Sequence, residues 1–198
     1  MSGLSGSLGD DLWERIERRL GAVMKKIARQ STVIAKVYMA GPLFTAAERA
    51  WNAELCAYLR RNRCAVFLPQ EVVGIYTKNS GMIFRQCLQG ILWSDVVVAC
   101  ADGPDADSGT SFECGFALEK RPIVLYRTDF RRGGEPGSSI HVNTMLSESA
   151  SSVLVSDDLD AGFIACLGSR IVMAVEGLKR RGFSPKFVES IEEYKGSS

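Results

Sequence analysis

Glu113 has the most unusual chemical setting in this sequence. In DADSGTSFECGFALEK, residues 105–120, a Gly109-Thr110-Ser111 turn reads as the opening of a helix, and Glu113 is the acidic residue of its first turn, among Phe112, Cys114, Phe116, Ala117 and Leu118. Helix N-termini favour carboxylates through the macrodipole, so a dipole-neutralising surface glutamate is the plain reading. Against it, LWSDVVVACADGPD reads as a buried strand running into a Gly-, Pro- and Asp-rich loop. Glu113 then stands just past the carboxyl end of a parallel strand, where open α/β sheets bind ligands. The other strand ends bring Tyr38, Gly41 and Pro42, then Pro69, Gln70 and Glu71, then Asp102 to Asp107, and Arg127 to Phe130. A tyrosine hydroxyl there can orient a carboxylate, and Gly41 either lets a ligand approach the backbone or is a turn glycine. Asp107 lies in a turn sequence where Asp bonds its own backbone, and the SGTS turn is a weak phosphate-cradle signal.

Elements that position these residues alternate along the chain. TVIAKVYMAGP, CAVFLP, SDVVVACAD, RPIVLYRTD and SSVLVS read as strands. Between them, segments from Phe44 to Asn62, Ile83 to Trp93, the Glu113 segment, 143 to 149, and Leu159 to Lys179 read as helices, with Thr45 and Glu48 forming a capping box. A loop from Gln70 to Gly81 carries Tyr76, Lys78 and Asn79. The alternation predicts an α/β fold, a flavodoxin-like doubly wound sheet of about five parallel strands. Before it, residues 10–30 place Trp13, Ile16, Leu20, Val23, Met24 and Ile27 at helical spacing, an extra N-terminal amphipathic helix that packs on the sheet or on another subunit. The expected organisation is a tail and helix over 1–31, a domain over 32–180, and a polar tail over 181–198.

Composition narrows the partners. The chain has 198 residues, 46% hydrophobic and 24% charged, with a net charge of +1, so no general attraction to nucleic acid or membrane is expected. No apolar run is long enough to span a bilayer. Six cysteines (56, 64, 87, 100, 114, 166) lie without a CxxC pair, which suits buried thiols in a reducing cytoplasm. With His141 the single histidine, a His-based metal cluster and a Ser-His-Asp triad are both disfavoured.

Taken together, VYMAGPLFTAAE, FLPQE, SDVVVACADGPDADSGTSFECGFALEKRPIVLYRTDFR and VNTML resemble the nucleoside 2-deoxyribosyltransferase family over roughly residues 33–165. The resemblance implies an enzyme, needing no metal or organic cofactor, that moves 2-deoxyribose between nucleobases of small-molecule nucleosides. Glu113 matches the family nucleophile, Tyr38 the tyrosine that holds it, and Asp107 the aspartate that binds a sugar hydroxyl. Gly41, Pro42, Phe44, Gln70, Glu71, Asp102 and Gly109 fall on substrate-binding segments. Asn143 matches an asparagine that completes a neighbouring subunit's site, so a homo-oligomer is implied, and Met145 follows it in Asn143-Thr144-Met145 where the family has N-L-M. One departure stands out. Many members place an aspartate beside the leaving base where this chain has Cys87, and a thiol with a reference pKa of about 8.5 donates weakly. The proton then comes from Glu71, Asp102 or solvent, or base preference differs, or turnover is slow. An N-glycoside hydrolase of nucleoside 5′-monophosphates and a noncatalytic nucleotide-binding protein are the alternatives. Asp107 speaks against the hydrolase, because a carboxylate near the 5′ position repels phosphate.

Overall fold

Runs of Val, Ala and Ile bounded by Pro, Gly or Asp make the short buried strands of this protein, because β-branched side chains pack well on a pleated surface. A computed structural model describes residues 33–72, 79–131, 142–156 and 162–182. The expected N-terminal helix, the loop residues Tyr76 and Lys78, His141 and the C-terminal tail from 183 lie outside the described residues.

In chain order the elements are β1 (Ala35–Ala40), α1 (Ala46–Arg61), β2 (Cys64–Phe67), α2 (Pro69–Val72), α3 (Ser80–Trp93), β3 (Val96–Cys100), α4 (Ser108–Ala117), β4 (Ile123–Arg127), α5 (Thr144–Ser149), β5 (Ser152–Val155) and α6 (Phe163–Arg181). The five strands pair in the order β2-β1-β3-β4-β5, all parallel. This is the doubly wound α/β sheet that the alternation predicts. Strand pleating sends alternate side chains to opposite faces. Val37, Met39, Val66 and Val98 face α1 and α6 through Leu55, Leu59, Leu167 and Ile171. Tyr38, Ala40, Phe67, Val97 and Ala99 face the other way, onto Ile91 of α3 and Cys114 and Ala117 of α4. Every residue of β3 is buried, as a strand covered on both faces must be.

Strand order reverses between β1 and β3, so the loops leaving their carboxyl ends diverge and open a crevice there. Helix starts flank that crevice. Thr45 caps α1, its Oγ1 accepting from Glu48 N at 3.1 Å while Glu48 Oε2 accepts from Thr45 N at 2.7 Å, the expected capping box. Asp107 caps α4, so this helix begins at Ser108, before the Gly-Thr-Ser turn expected to open it. Glu113 therefore sits in the second turn, beyond the first-turn carboxylate position. Pro69–Val72 forms a short helix where a loop from Gln70 was expected, and α3 starts at Ser80 under an Asn79 cap rather than at Ile83.

Gly90 sets how closely α3 approaches the sheet. A Cβ there would lie 2.7 Å from the Phe67 ring, so only glycine admits the contact. Phe67 in turn stacks on Tyr38, with ring centroids 5.4 Å apart and planes 19° from parallel.

Candidate active site

Three segments far apart in sequence meet in the crevice. Tyr38 of β1 is fully buried, and its hydroxyl donates to Glu113 Oε1 of α4 at 2.5 Å. Cys87 of α3 lines the cavity beside the same carboxylate. The Tyr38 donor helps explain why a carboxylate is tolerated among apolar neighbours.

Glu113 forms part of the lining of a cavity of about 340 Å³. Its lining divides by chemistry. Leu43, Phe44, Pro69, Ile83 and Cys87 make an apolar half, whereas Gln70, Asp107, Thr110 and Glu113 make a polar one, with Gly41 and Gly109 between. Such a mixture suits a ligand with a flat apolar part and a hydroxylated part. Phe44 is 71% exposed at the mouth, where a ligand can cover it.

Burial pushes the Glu113 carboxyl up to about 7, opposed by the hydrogen bonds from Tyr38 and Cys87 and aided by the nearby Asp107 charge. A carboxyl displaced toward neutrality in this way is the kind of group that active sites use, its ionised form as a nucleophile. Burial and then the Glu113 charge hold the Tyr38 phenol well above its usual range, so it remains a donor. The same causes push the Cys87 thiol up to about 11.

The sequence profile described as nucleoside 2-deoxyribosyltransferase matches residues 37–157, which include every residue of this cluster. The chain belongs to the nucleoside 2-deoxyribosyltransferase family. Among solved structures, a conserved protein from Enterococcus faecalis V583 is similar at 27% identity and a TM-score of 0.57, covering 72% of this chain and 97% of its own. A 2-deoxyribosyltransferase from Bacillus psychrosaccharolyticus shares the fold at 21% identity and a TM-score of 0.52, over 66% of this chain and 96% of that one. Another, from Leishmania mexicana, does so at 19% identity and a TM-score of 0.50, over 68% and 97%. No curated protein matches the sequence.

Within this deoxyribosyltransferase-family fold, the expected site residues separate into two groups. Glu113, Tyr38, Cys87, Asp107, Gly41, Phe44, Gln70 and Gly109 belong to the cavity or touch its nucleophile candidate. Pro42 does not line the cavity, and its carbonyl accepts from Asn52 Nδ2 at 2.8 Å. Glu71 turns away to a bidentate pair with Arg60 at 2.6–2.8 Å. Asp102 is spent on Thr128 N and Oγ1, both at 2.5 Å, and on Asp129 N at 2.9 Å. Asn143 caps α5 by accepting from Met145 N at 2.9 Å, and Met145 is 80% exposed, so both lie outside the cavity of their own chain.

Two supporting roles escape sequence reasoning, one at Asn52 and one at Arg127, which the sequence places at a strand end without its partners. Buried Asn52 on α1 also donates to Gln70 Oε1 at 3.3 Å, tying the loop after β1 to the segment after β2. Arg127, 2% exposed, donates to the carbonyls of Ala101, Gly103 and Arg131, and so anchors the loop that delivers Asp107. An asparagine in a charged helix and an arginine ending a strand carry no special local signal. Of the six cysteines, all free, Cys166 is exposed and departs from the expected buried set, because it falls on the solvent side of α6. Among the described residues no group of three His, Cys, Asp or Glu could hold a metal, and no helix is long and apolar enough to cross a membrane.

Proposed function

We propose that this protein moves 2-deoxyribose between nucleobases through a covalent ester on Glu113. The observation that carries the reading is the buried Tyr38 hydroxyl held 2.5 Å from Glu113 Oε1 beside a half-apolar cavity. A carboxylate oxygen attacks the anomeric carbon as the bond to the base breaks, and its charge stabilises the oxocarbenium character of the transition state. The ester splits one difficult displacement into two, and a second base or water completes the exchange. Without a 2′-hydroxyl the sugar reaches that cationic character more easily. Tyr38 fixes which oxygen points at the sugar, and Asp107, anchored by Thr110 N at 2.9 Å, is placed to accept a sugar hydroxyl.

Two carboxylates and no Lys, Arg or His line the cavity among the described residues, which favours a neutral nucleoside over a 5′-monophosphate. Met145 is 80% exposed and Asn143, capping its own helix, is exposed beside it, an arrangement that suits a role in the site of a second copy. The test is chromatography of 2′-deoxynucleosides incubated with a second free base, beside ribonucleoside and monophosphate controls. A new deoxynucleoside is expected, and Glu113→Ala is expected to abolish it with the fold intact. Substantial turnover by that variant would sink the nucleophile assignment, and base release from the monophosphate alone would establish the hydrolase instead.

A further inference from the structure

Breaking a C–N glycosidic bond leaves an electron pair on the base nitrogen, and an enzyme eases this step when an acid stands ready to protonate it. The apolar half of the cavity holds none among the described residues. Leu43, Phe44, Pro69 and Ile83 have no proton to give. Cys87 lines the cavity beside Glu113, and burial makes its thiol a still weaker acid than a free cysteine. Tyr38 donates to Glu113, Thr110 Oγ1 donates to Asp107, and Gln70 Nε2 donates to Arg49 O. Glu71 and Asp102, which could have served, are bonded elsewhere.

We propose, on the basis of the deoxyribosyl-transfer reading above, that this site releases its bases unprotonated and therefore selects nucleosides by the leaving ability of the base, with Cys87 as the residue that sets the selection. In the first step a lone pair of Glu113 forms the bond to C1′ while the C1′–N bond breaks. The pair from that bond stays on the base, which takes its proton from water. In the return step an acceptor base, having lost its N–H proton to water, attacks C1′, and the C1′–O pair returns to the Glu113 carboxylate. One ordering thus governs donors and acceptors alike. The preferred class is 2′-deoxynucleosides of bases with an acidic ring N–H, such as electron-poor pyrimidines, over those of weakly acidic bases.

A panel of 2′-deoxyuridines bearing hydrogen, fluorine or methyl at C5 varies base acidity with little change of shape. For the wild type, kcat/KM is expected to fall about tenfold for each tenfold loss of base acidity, the limit for a leaving group that receives no proton in the transition state. Cys87→Asp, which supplies an acid, is expected to flatten that dependence to about threefold or less and to add an acidic limb to the pH profile. Cys87→Ser, which supplies none, keeps the steep dependence, so misfolding of the Asp variant leaves the idea testable. Activity appearing only in Cys87→Asp also supports it. A flat wild-type response that still requires Glu113 overturns this inference and leaves deoxyribosyl transfer standing. No turnover by the wild type or by either variant overturns both.

Discussion

Replacing Glu113 with glutamine is expected to make the protein more stable at alkaline pH while removing its turnover. Below pH 4.5, the ordinary carboxyl value, the side chain is protonated in both folded and unfolded chains. Between 4.5 and about 7 the folded protein retains a proton that the unfolded chain has shed, so stability falls as pH rises through this window, and above about 7 the loss is complete. A displacement from 4.5 to about 7, at 1.36 kcal/mol per tenfold, amounts to about 3 kcal/mol, which solvent entering the cavity trims to about 2–3 kcal/mol. Glutamine carries no charge at any pH and still offers an oxygen to the Tyr38 hydroxyl, so it escapes the penalty without emptying the site. Urea unfolding of both proteins at pH 5 and pH 8.5, at one protein concentration, reads the effect directly. The advantage of Glu113→Gln is expected to grow by about 2 kcal/mol between the two, or about 4–8 °C in Tm for a chain of this size. A difference between the proteins that stays constant within about 0.5 kcal/mol would show that the Glu113 carboxyl is not displaced by burial and refute the reasoning.

Tyr38→Phe removes a hydrogen bond that lowers the Glu113 pKa, so the pH at which activity reaches half its plateau should move upward and the rate at pH 7 should fall by about tenfold or more; an unmoved pH profile would deny the contact its role. Gly90→Ala drives a methyl to within 2.7 Å of Phe67, which stacks on Tyr38, and is expected to cost about 1–3 kcal/mol in thermal or urea unfolding and to lower kcat more than it raises KM. Arg127→Met leaves three carbonyls, two in the loop after β3 and one after β4, without their donor and should destabilise by about 2–4 kcal/mol, measured by urea unfolding. Asn143→Ala should raise KM more than stability loss explains if Asn143 serves a second copy, and mixing it with an inactive Glu113→Ala chain should restore part of the activity only in an oligomer with shared sites.

How much was legible depends on whether a residue's role is local. The sheet was readable because β3 is a continuous apolar run and because Thr45 and Glu48 announce a helix start within four residues. Glu113 was readable through its place along the chain, as a carboxylate just past the carboxyl end of a buried strand. The start of its helix was misplaced because Asp107 reads equally well as a turn residue or a cap, and only the bond to Thr110 N decides. Glu71 and Asp102 look like site residues in sequence, yet each is claimed by a partner 11 or more positions away, Arg60 or Thr128. Asn52 and Arg127 likewise tie together segments distant in sequence, through Gln70 for the first and through Ala101 and Gly103 for the second, and no local window contains those partners.

The strand order has a consequence for how the chain comes to be made. β1 finds β2 on one flank within a few dozen residues, but its other flank is filled only by β3, after Val96 has emerged. A nascent or truncated chain ending before that point therefore presents a parallel strand with an unpaired apolar edge, a template for pairing with another such chain. Tyr38 waits longer, since its partner Glu113 lies later still. Expression fragments that stop between β2 and β3 should aggregate, and chains that run on through β5 and α6 should not, so the sheet's interior is assembled before the site is complete.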